Sequence, residues 1–298
     1  MTTKTTIDLH MHTKNSDGSL TTAELLTRAE KLGLTTISIT DHDTVGAYIK
    51  DLPNPAIRKL FSGKIIPGIE LGAICKGNSI EILGYGIDVS KMAKLVVNYP
   101  STTFDMFIFT KVMQKLADFG IVDNTLKLRP TGTGGFLLVQ MLKNQTYREF
   151  FGSFNPKYST DANFLFRDGF MNKKSPLFVS FDGYYRPDTE IIKWIHDCGG
   201  KAFLAHPAQY YENTPEILET LKDSLDGIEC FHYSADKEYE KMLMEFCKKN
   251  KLLMSGGSDF HGDAKPDVEL GVGKGDTLVP KSIEPLWLNH LMQPPKQG

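Results

Sequence analysis

The chain has 298 residues, 41% of them hydrophobic and 23% charged, with a formal charge of −2. That length suits one large domain or a main domain carrying an insert. The charge balance gives no general attraction to nucleic acid or anionic membrane, so neither a stable nucleic-acid complex nor a membrane partner is expected.

The opening MTTKTTIDLH has no apolar targeting core, and no stretch approaches the roughly 20 apolar residues of a membrane span. A cytoplasmic location is the expectation. Thr5–His10 reads as a strand, running into Asp8-Leu9-His10-Met11-His12. Residues at i and i+2 of a strand share a face, so His10 and His12 form a side-by-side pair, with Asp17 in the next loop. Thr21–Leu32 has helical spacing at Leu25, Leu26, Ala29 and Leu32, with Thr22 as N-cap and Gly33 as C-cap. Thr36–Thr40 is a second strand, followed by Asp41-His42-Asp43-Thr44. Lys64–Ile66 and Ile80–Leu83 read as short strands, with Glu70 after Ile65-Ile66-Pro67-Gly68-Ile69.

From about 91 to 181 the strand–helix rhythm breaks. Phe104–Phe119 and Phe136–Asn144 read as helices, and Tyr147–Asp182 is rich in aromatic and loop residues. Alternation then resumes: helix Asp188–Cys198, strand Ala202–Ala205 ending at His206-Pro207, helix Pro215–Asp223, strand Gly227–Phe231, helix Lys237–Asn250 and strand Leu252–Ser255. The last strand runs into Gly256-Gly257-Ser258-Asp259-Phe260-His261, a second i, i+2 pair. This pattern predicts the α/β class with a parallel sheet or barrel spanning 1–90 and 182–298, interrupted by a mostly helical insertion at 91–181. The four cysteines, Cys75, Cys198, Cys230 and Cys247, have no CxxC spacing and read as reduced interior thiols.

Five of the eight histidines fall at strand ends, accompanied by Asp17, Asp41, Glu70 and Asp259. In α/β barrels the C-terminal strand ends converge on one mouth. Any one of these residues alone reads as an ordinary loop polar group; the joint pattern predicts a metal centre. Imidazole with carboxylate suits Zn, Mn or Fe. Eight or nine ligands exceed the need of one ion, so two or three divalent ions are expected, with Glu70 able to bridge two. Such ions acidify bound water and clamp a phosphoryl group, making hydrolysis the natural chemistry.

HMH with Asp17, SITDHDT at 38–44, PGIE at 67–70, LAHP at 204–207 and GGSDFHG at 256–262 together resemble the PHP (polymerase and histidinol phosphatase) family, in its stand-alone phosphoesterase branch. The resemblance covers nearly all the barrel-like sequence and implies a distorted (β/α)7 barrel hydrolysing phosphate esters. It implies metal ligation by His10, His12, Asp17, His42, Glu70, His206, Asp259 and His261, with Glu70, Asp259 and His261 also in the chemistry. Asp41 is implied as a partner orienting a ligand. Where the family commonly has His, in Ser79-Ile80-Glu81-Ile82-Leu83-Gly84, this chain has Glu81, a ninth candidate ligand. Arg129 of Leu128-Arg129-Pro130-Thr131 matches a family phosphate contact, although Thr131 replaces the usual His.

The implied substrates are phosphomonoesters of nucleotides, such as 3′,5′-bisphosphorylated nucleotides or the 5′ ends of short RNA. Two rival readings are a metallohydrolase cutting a C–N or C–O bond and a non-catalytic, metal-stabilised PHP module. His232, after IECF, is a candidate for substrate contact or proton transfer at the mouth. His196 near a helix C-terminus reads as structural, His290 has no assigned role, and Tyr184 and Tyr185 read as loop packing ahead of a cover over the site. The Gly-rich runs at 131–135 and 271–275 lack a phosphate-loop pattern and read as turns. No nucleophile elbow is present.

Overall fold

Residues 7–100, 103–127, 134–275 and 279–280 are described by the structure, a computed structural model. The strands are β1 (Ile7–Asp8), β2 (Thr36–Ile39), β3 (Lys64–Cys75), β4 (Asn78–Tyr85), β5 (Arg186–Pro187), β6 (Lys201–Leu204), β7 (Gly227–Phe231) and β8 (Leu253–Gly256). Seven pair in the order β1-β2-β3-β4-β6-β7-β8, and β5 adds to β3. Pairing is parallel except on both sides of β4, which runs against its neighbours.

Just past β8 the chain returns alongside the segment after β1. Leu9 N donates to Gly256 O (3.2 Å), Asp259 N to His10 O (2.8 Å) and His12 N to Phe260 O (2.9 Å). The Asp8 carboxylate, fully buried, fastens this seam by accepting from Ser258 N (2.9 Å), Ser258 Oγ (2.6 Å) and Gly271 N (2.7 Å). The result is a nearly closed seven-stranded barrel, as expected, distorted by one reversed strand.

That reversal corrects one expectation. Glu70 does not follow a short strand; it lies inside the twelve-residue β3. Pro67-Gly68 resembles a break, but the strand carries on through it, because Pro costs only one ladder donor. The chain turns at Lys76-Gly77, both at positive φ (+47° and +80°), and β4 folds back in register, Gly72 opposite Glu81 and Glu70 opposite Leu83.

The helices are α1 (Thr22–Leu32), α2 (Pro55–Arg58), α3 (Val89–Val96), α4 (Phe104–Asp118), α5 (Gly134–Met141), α6 (Gln145–Gly152), α7 (Ala162–Phe164), α8 (Asp188–Asp197), α9 (Thr214–Leu221) and α10 (Lys237–Asn250). In α1 the cap is Thr21, not Thr22, because Glu24 three residues on completes a capping box with it. Gly33 closes the helix at φ +73°. The aromatic stretch expected to be loop-rich instead winds into α6, α7 and two short turns, Pro156–Ser159 and the π-helical Leu165–Phe170.

Three hydrophobic cores form among the described residues. Ile69, Leu71, Ile82, Tyr85, Phe203 and Ile228 belong to one in the barrel, which also takes in Met92, Val96 and Tyr99. Leu25, Leu26, Ile37, Ile39 and Phe260 make a second, packing α1 against β2 and the segment after β8. Ile108, Val112 and Leu116 line one face of α4 and pack with Leu138, Phe151 and Phe170 in the third. All four cysteines are buried and free, with the Cys230 and Cys247 sulfurs 3.6 Å apart. Among the described residues no helix is long and apolar enough to cross a membrane.

At the seam, a Cβ on Gly257 would fall 2.4 Å from both N and Cβ of His10. Gly257→Ala should therefore force β8 off β1 and lower stability by about 1–3 kcal/mol. Urea unfolding checks this; an unchanged midpoint would show that the seam has slack.

Candidate metal centre

Each strand pointing at the barrel mouth delivers one or two polar side chains. His10 and His12 leave the end of β1 on one face and are fully buried. His42 follows β2, Glu70 and Glu81 come from the β3–β4 hairpin, His206 follows β6, and Asp259 and His261 follow β8. Asp17 enters from the loop before α1. Two of these positions hold non-glycine residues at positive φ, His206 (+27°) and Asp259 (+51°). Such backbone persists where surrounding contacts over-determine it, commonly at functional sites.

Glu70 is the centre of the array. Its Oε2 lies 3.0 Å from His10 Nε2, 3.2 Å from His12 Nε2 and 3.3 Å from His42 Nδ1, while its Oε1 lies 3.1 Å from His206 Nε2. Asp259 Oδ1 stands 3.3 Å from His12 Nε2 and 3.5 Å from His10 Nε2. Asp17 Oδ1 is 3.3 Å from His261 Nε2 and 3.7 Å from His12 Nδ1. Glu81 Oε2 is 3.1 Å from His206 Nε2. Three donor sets each fall within 4.8 Å: His12, Asp17, His42 and His261; His10, His12 and Glu70; and His42, Glu70 and Glu81.

The donors fit divalent ions. Both ring nitrogens of His12, Oδ1 of Asp17 and Nδ1 of His206 are buried without a hydrogen bond, although the Asp17, Glu70 and Asp259 carboxylates stand close to the His12 nitrogens. Buried polar atoms left in that state need a partner, and imidazole with carboxylate suits Mn, Zn or Fe. Electrostatics point the same way. Burial opposes ionisation of Glu70, yet His10 and His42 hold its carboxyl well below the usual range. Burial likewise opposes ionisation of Asp259, and Lys265, His261 and His10 overcome it. His261 is pushed down to about 4 by burial together with His12 and Lys265, leaving a neutral imidazole.

The remaining candidates occupy varied places. Asp41 accepts from Thr13 N (2.6 Å), Thr13 Oγ1 (2.7 Å) and Ser16 Oγ (2.8 Å), so it shapes the loop between His12 and Asp17. His232 is buried behind Asp259, its Nε2 3.3 Å from Oδ2 and its Nδ1 bonded to Ser234 Oγ. His196 pairs with Asp226 (2.7 Å) at the surface, away from the array. The array opens into a cleft of about 1370 Å³, whose other wall carries Tyr99, Phe104, Phe166, Tyr184 and Tyr185. For the last two, loop packing was expected ahead of covering the site, and both line the cleft. Arg129, Thr131 and His290 lie outside the described residues.

Three residues escaped the sequence reading. Glu229, in the otherwise apolar β7, bonds His10 Nδ1 (2.9 Å) and accepts from the backbone His206 N (2.7 Å), fixing the His10 ring and the chain at His206. A charged residue inside GIECF was the available signal. Arg167 reaches Glu81 Oε2 (3.1 Å) and Lys265 reaches Asp259 Oδ2 (2.6 Å); no local pattern marks either.

Comparison with known proteins agrees with this geometry. The PHP domain family model matches residues 8–253. The chain is 28% identical to a 5′-3′ exoribonuclease of Salmonella typhimurium, covering 94% of this chain and 92% of the relative. It is 24% identical to a 3′,5′-nucleoside bisphosphate phosphatase of Chromobacterium violaceum, with 94% and 95% covered. A solved structure described as a metal-dependent phosphoesterase of Bifidobacterium adolescentis shares the fold, with TM-score 0.63, 23% identity and 93% of each chain covered.

If the array holds ions, chelation should lower the unfolding midpoint and added Mn should restore it. An ion at 100 times its Kd contributes about 2.7 kcal/mol. Scanning calorimetry of wild type and Glu70→Gln reads this: the variant should lose most of the metal-dependent rise. A midpoint indifferent to Mn, Zn and Fe in the wild type would remove the metal assignment.

Proposed function

Because the chain belongs to the PHP domain family, we propose that it is a metal-dependent phosphoesterase acting on phosphomonoesters of nucleotides, including the 5′ ends of short RNA. The observation carrying this reading is the convergence of nine imidazoles and carboxylates, from both ends of the chain, on one side of a cleft walled by aromatic rings.

His10, His12, Asp17, His42, Glu70, Glu81, His206, Asp259 and His261 would hold two or three Mn, Zn or Fe ions. Bound there, the ions supply Lewis-acid stabilisation of phosphoryl charge and a more acidic water. The protein's own contribution is placement. Glu70 turns its two oxygens toward different histidines, Oε2 toward His10 and Oε1 toward His206, and so would serve more than one ion. Glu229 holds the His10 ring so that Nε2 faces Glu70. Asp41 pins the loop bringing Asp17 to His261. Asp259 and His261 border the cleft and are the groups to take a proton from attacking water. The insertion at 91–181 caps the opening, and its aromatic rings offer faces on which bases stack.

The Salmonella relative's name favours RNA and the Chromobacterium relative's name a mononucleotide; the cleft volume accommodates either. Phosphate release by the Mn-loaded protein from nitrophenyl phosphate and a 3′,5′-bisphosphorylated nucleotide, and release of phosphate or mononucleotide from a 5′-phosphorylated trinucleotide, test the reading. Asp259→Asn and His12→Ala should each cut turnover by about 10²-fold or more, the scale of losing several kcal/mol of charge stabilisation. Turnover of amides or lactones alone would favour the C–N or C–O reading. Metal-dependent stability without any turnover would favour the non-catalytic one.

A further inference from the structure

We propose that Arg167 and Lys265 form a phosphate clamp, a pair of fixed cations that grip the substrate's phosphoryl oxygens; this rests on the phosphoesterase reading above. Arg167 comes from the π-helical turn Leu165–Phe170, whose Leu165, Phe166 and Phe170 are buried in the insertion core. Such wide turns recur at functional sites. The anchored turn carries the guanidinium across to the barrel, where Nη1 meets Glu81 Oε2 at 3.1 Å.

Only 16% of the Arg167 side chain is exposed, and among the described residues that bond is its one ion pair. A guanidinium has five N–H donors in a rigid fork, and the Glu81 bond engages one nitrogen of it, so donors remain for a ligand in the cleft that Arg167 lines. Arg167 lines the same cleft as His206, Asp259 and His261. A phosphate dianion supplies acceptors in matching bidentate geometry.

Lys265 makes the second arm from the barrel side. It follows the short turn Gly262–Ala264 after His261, sets Nζ 2.6 Å from Asp259 Oδ2 and also lines the cleft. One arm therefore leans on Glu81 and the other on Asp259. Substrate gripping both ties the insertion to the barrel. Neutralising Glu81 alone does not explain Arg167, since His206 Nε2 already stands 3.1 Å from the same oxygen.

The test uses the Mn-loaded full chain, with inorganic phosphate as the probe for titration calorimetry and nitrophenyl phosphate for kinetics. In Arg167→Gln, phosphate affinity should fall and KM rise by about tenfold or more, the loss of one charge-assisted hydrogen bond. Bound Mn per chain should stay at the wild-type value, and kcat should change much less than KM. Lys265→Gln should weaken phosphate in the same sense. In the double variant Glu81→Gln/Arg167→Gln the affinity should stay low.

Wild-type phosphate affinity in Arg167→Gln, or its recovery in the double variant, overturns the clamp, the latter by showing that Arg167 only balances Glu81. Loss of Mn in Arg167→Gln also overturns it. Should Arg167→Gln fail to fold, Arg167→Lys, which keeps the charge and loses the fork, carries the same measurements. Absence of wild-type turnover would sink the phosphoesterase reading by itself, and the phosphate titration would still decide the clamp.

Discussion

Glu70 is fully buried in the middle of β3, and an ionised carboxylate taken out of water costs several kcal/mol unless positive charge or hydrogen bonds meet it. Four imidazoles do so, from His10, His12, His42 and His206. They arrive from three other strands, which can meet only if the sheet closes into a barrel. Closure thus serves the charge, and the charge commits the barrel mouth to binding cations.

The seam between β8 and β1 carries most of that demand. Backbone hydrogen bonds between the segments beyond β8 and β1 bring Asp259 and His261 alongside His10 and His12, but the approach leaves no room for a side chain at Gly257. Buried Asp8 fastens the seam with three hydrogen bonds to groups more than 240 residues away. Burial raises its carboxyl pKa even so. Polar groups this deep are tolerated only when fully partnered, so they specify one closure register among several that apolar contacts alone would permit.

The helical segment from α4 to Phe181 plays a different part. It has a hydrophobic core of its own, and Phe104, Phe166 and Arg167 from it line the same cleft as the ligand array. Tyr99, packed in the barrel core, and Tyr184 and Tyr185 complete the aromatic lining. One cleft thus joins charged groups suited to cations with flat apolar faces.

Much of the architecture was legible from local pattern. The HMH and DFH pairs were legible as metal-competent residue types, although Asp259 at φ +51° lies beyond β8 and off the two-residue period of a strand. Gly33 follows from the left-handed end of a helix, and β7 and α10 from periodicity that lies within one element. The direction of β4 was not legible, because Pro67-Gly68 imitates a break and only the pairing of Gly72 with Glu81 reveals a hairpin. Glu229, Arg167 and Lys265 were equally hidden. Glu229 meets His10 across 219 positions and Arg167 meets Glu81 across 86. Sequence alone determined which residues could bind metal and roughly where strands end, since those depend on side-chain chemistry and neighbours a few positions away. Tertiary structure alone decided which charges share a site, because partners so far apart along the chain become neighbours only when the sheet curls shut.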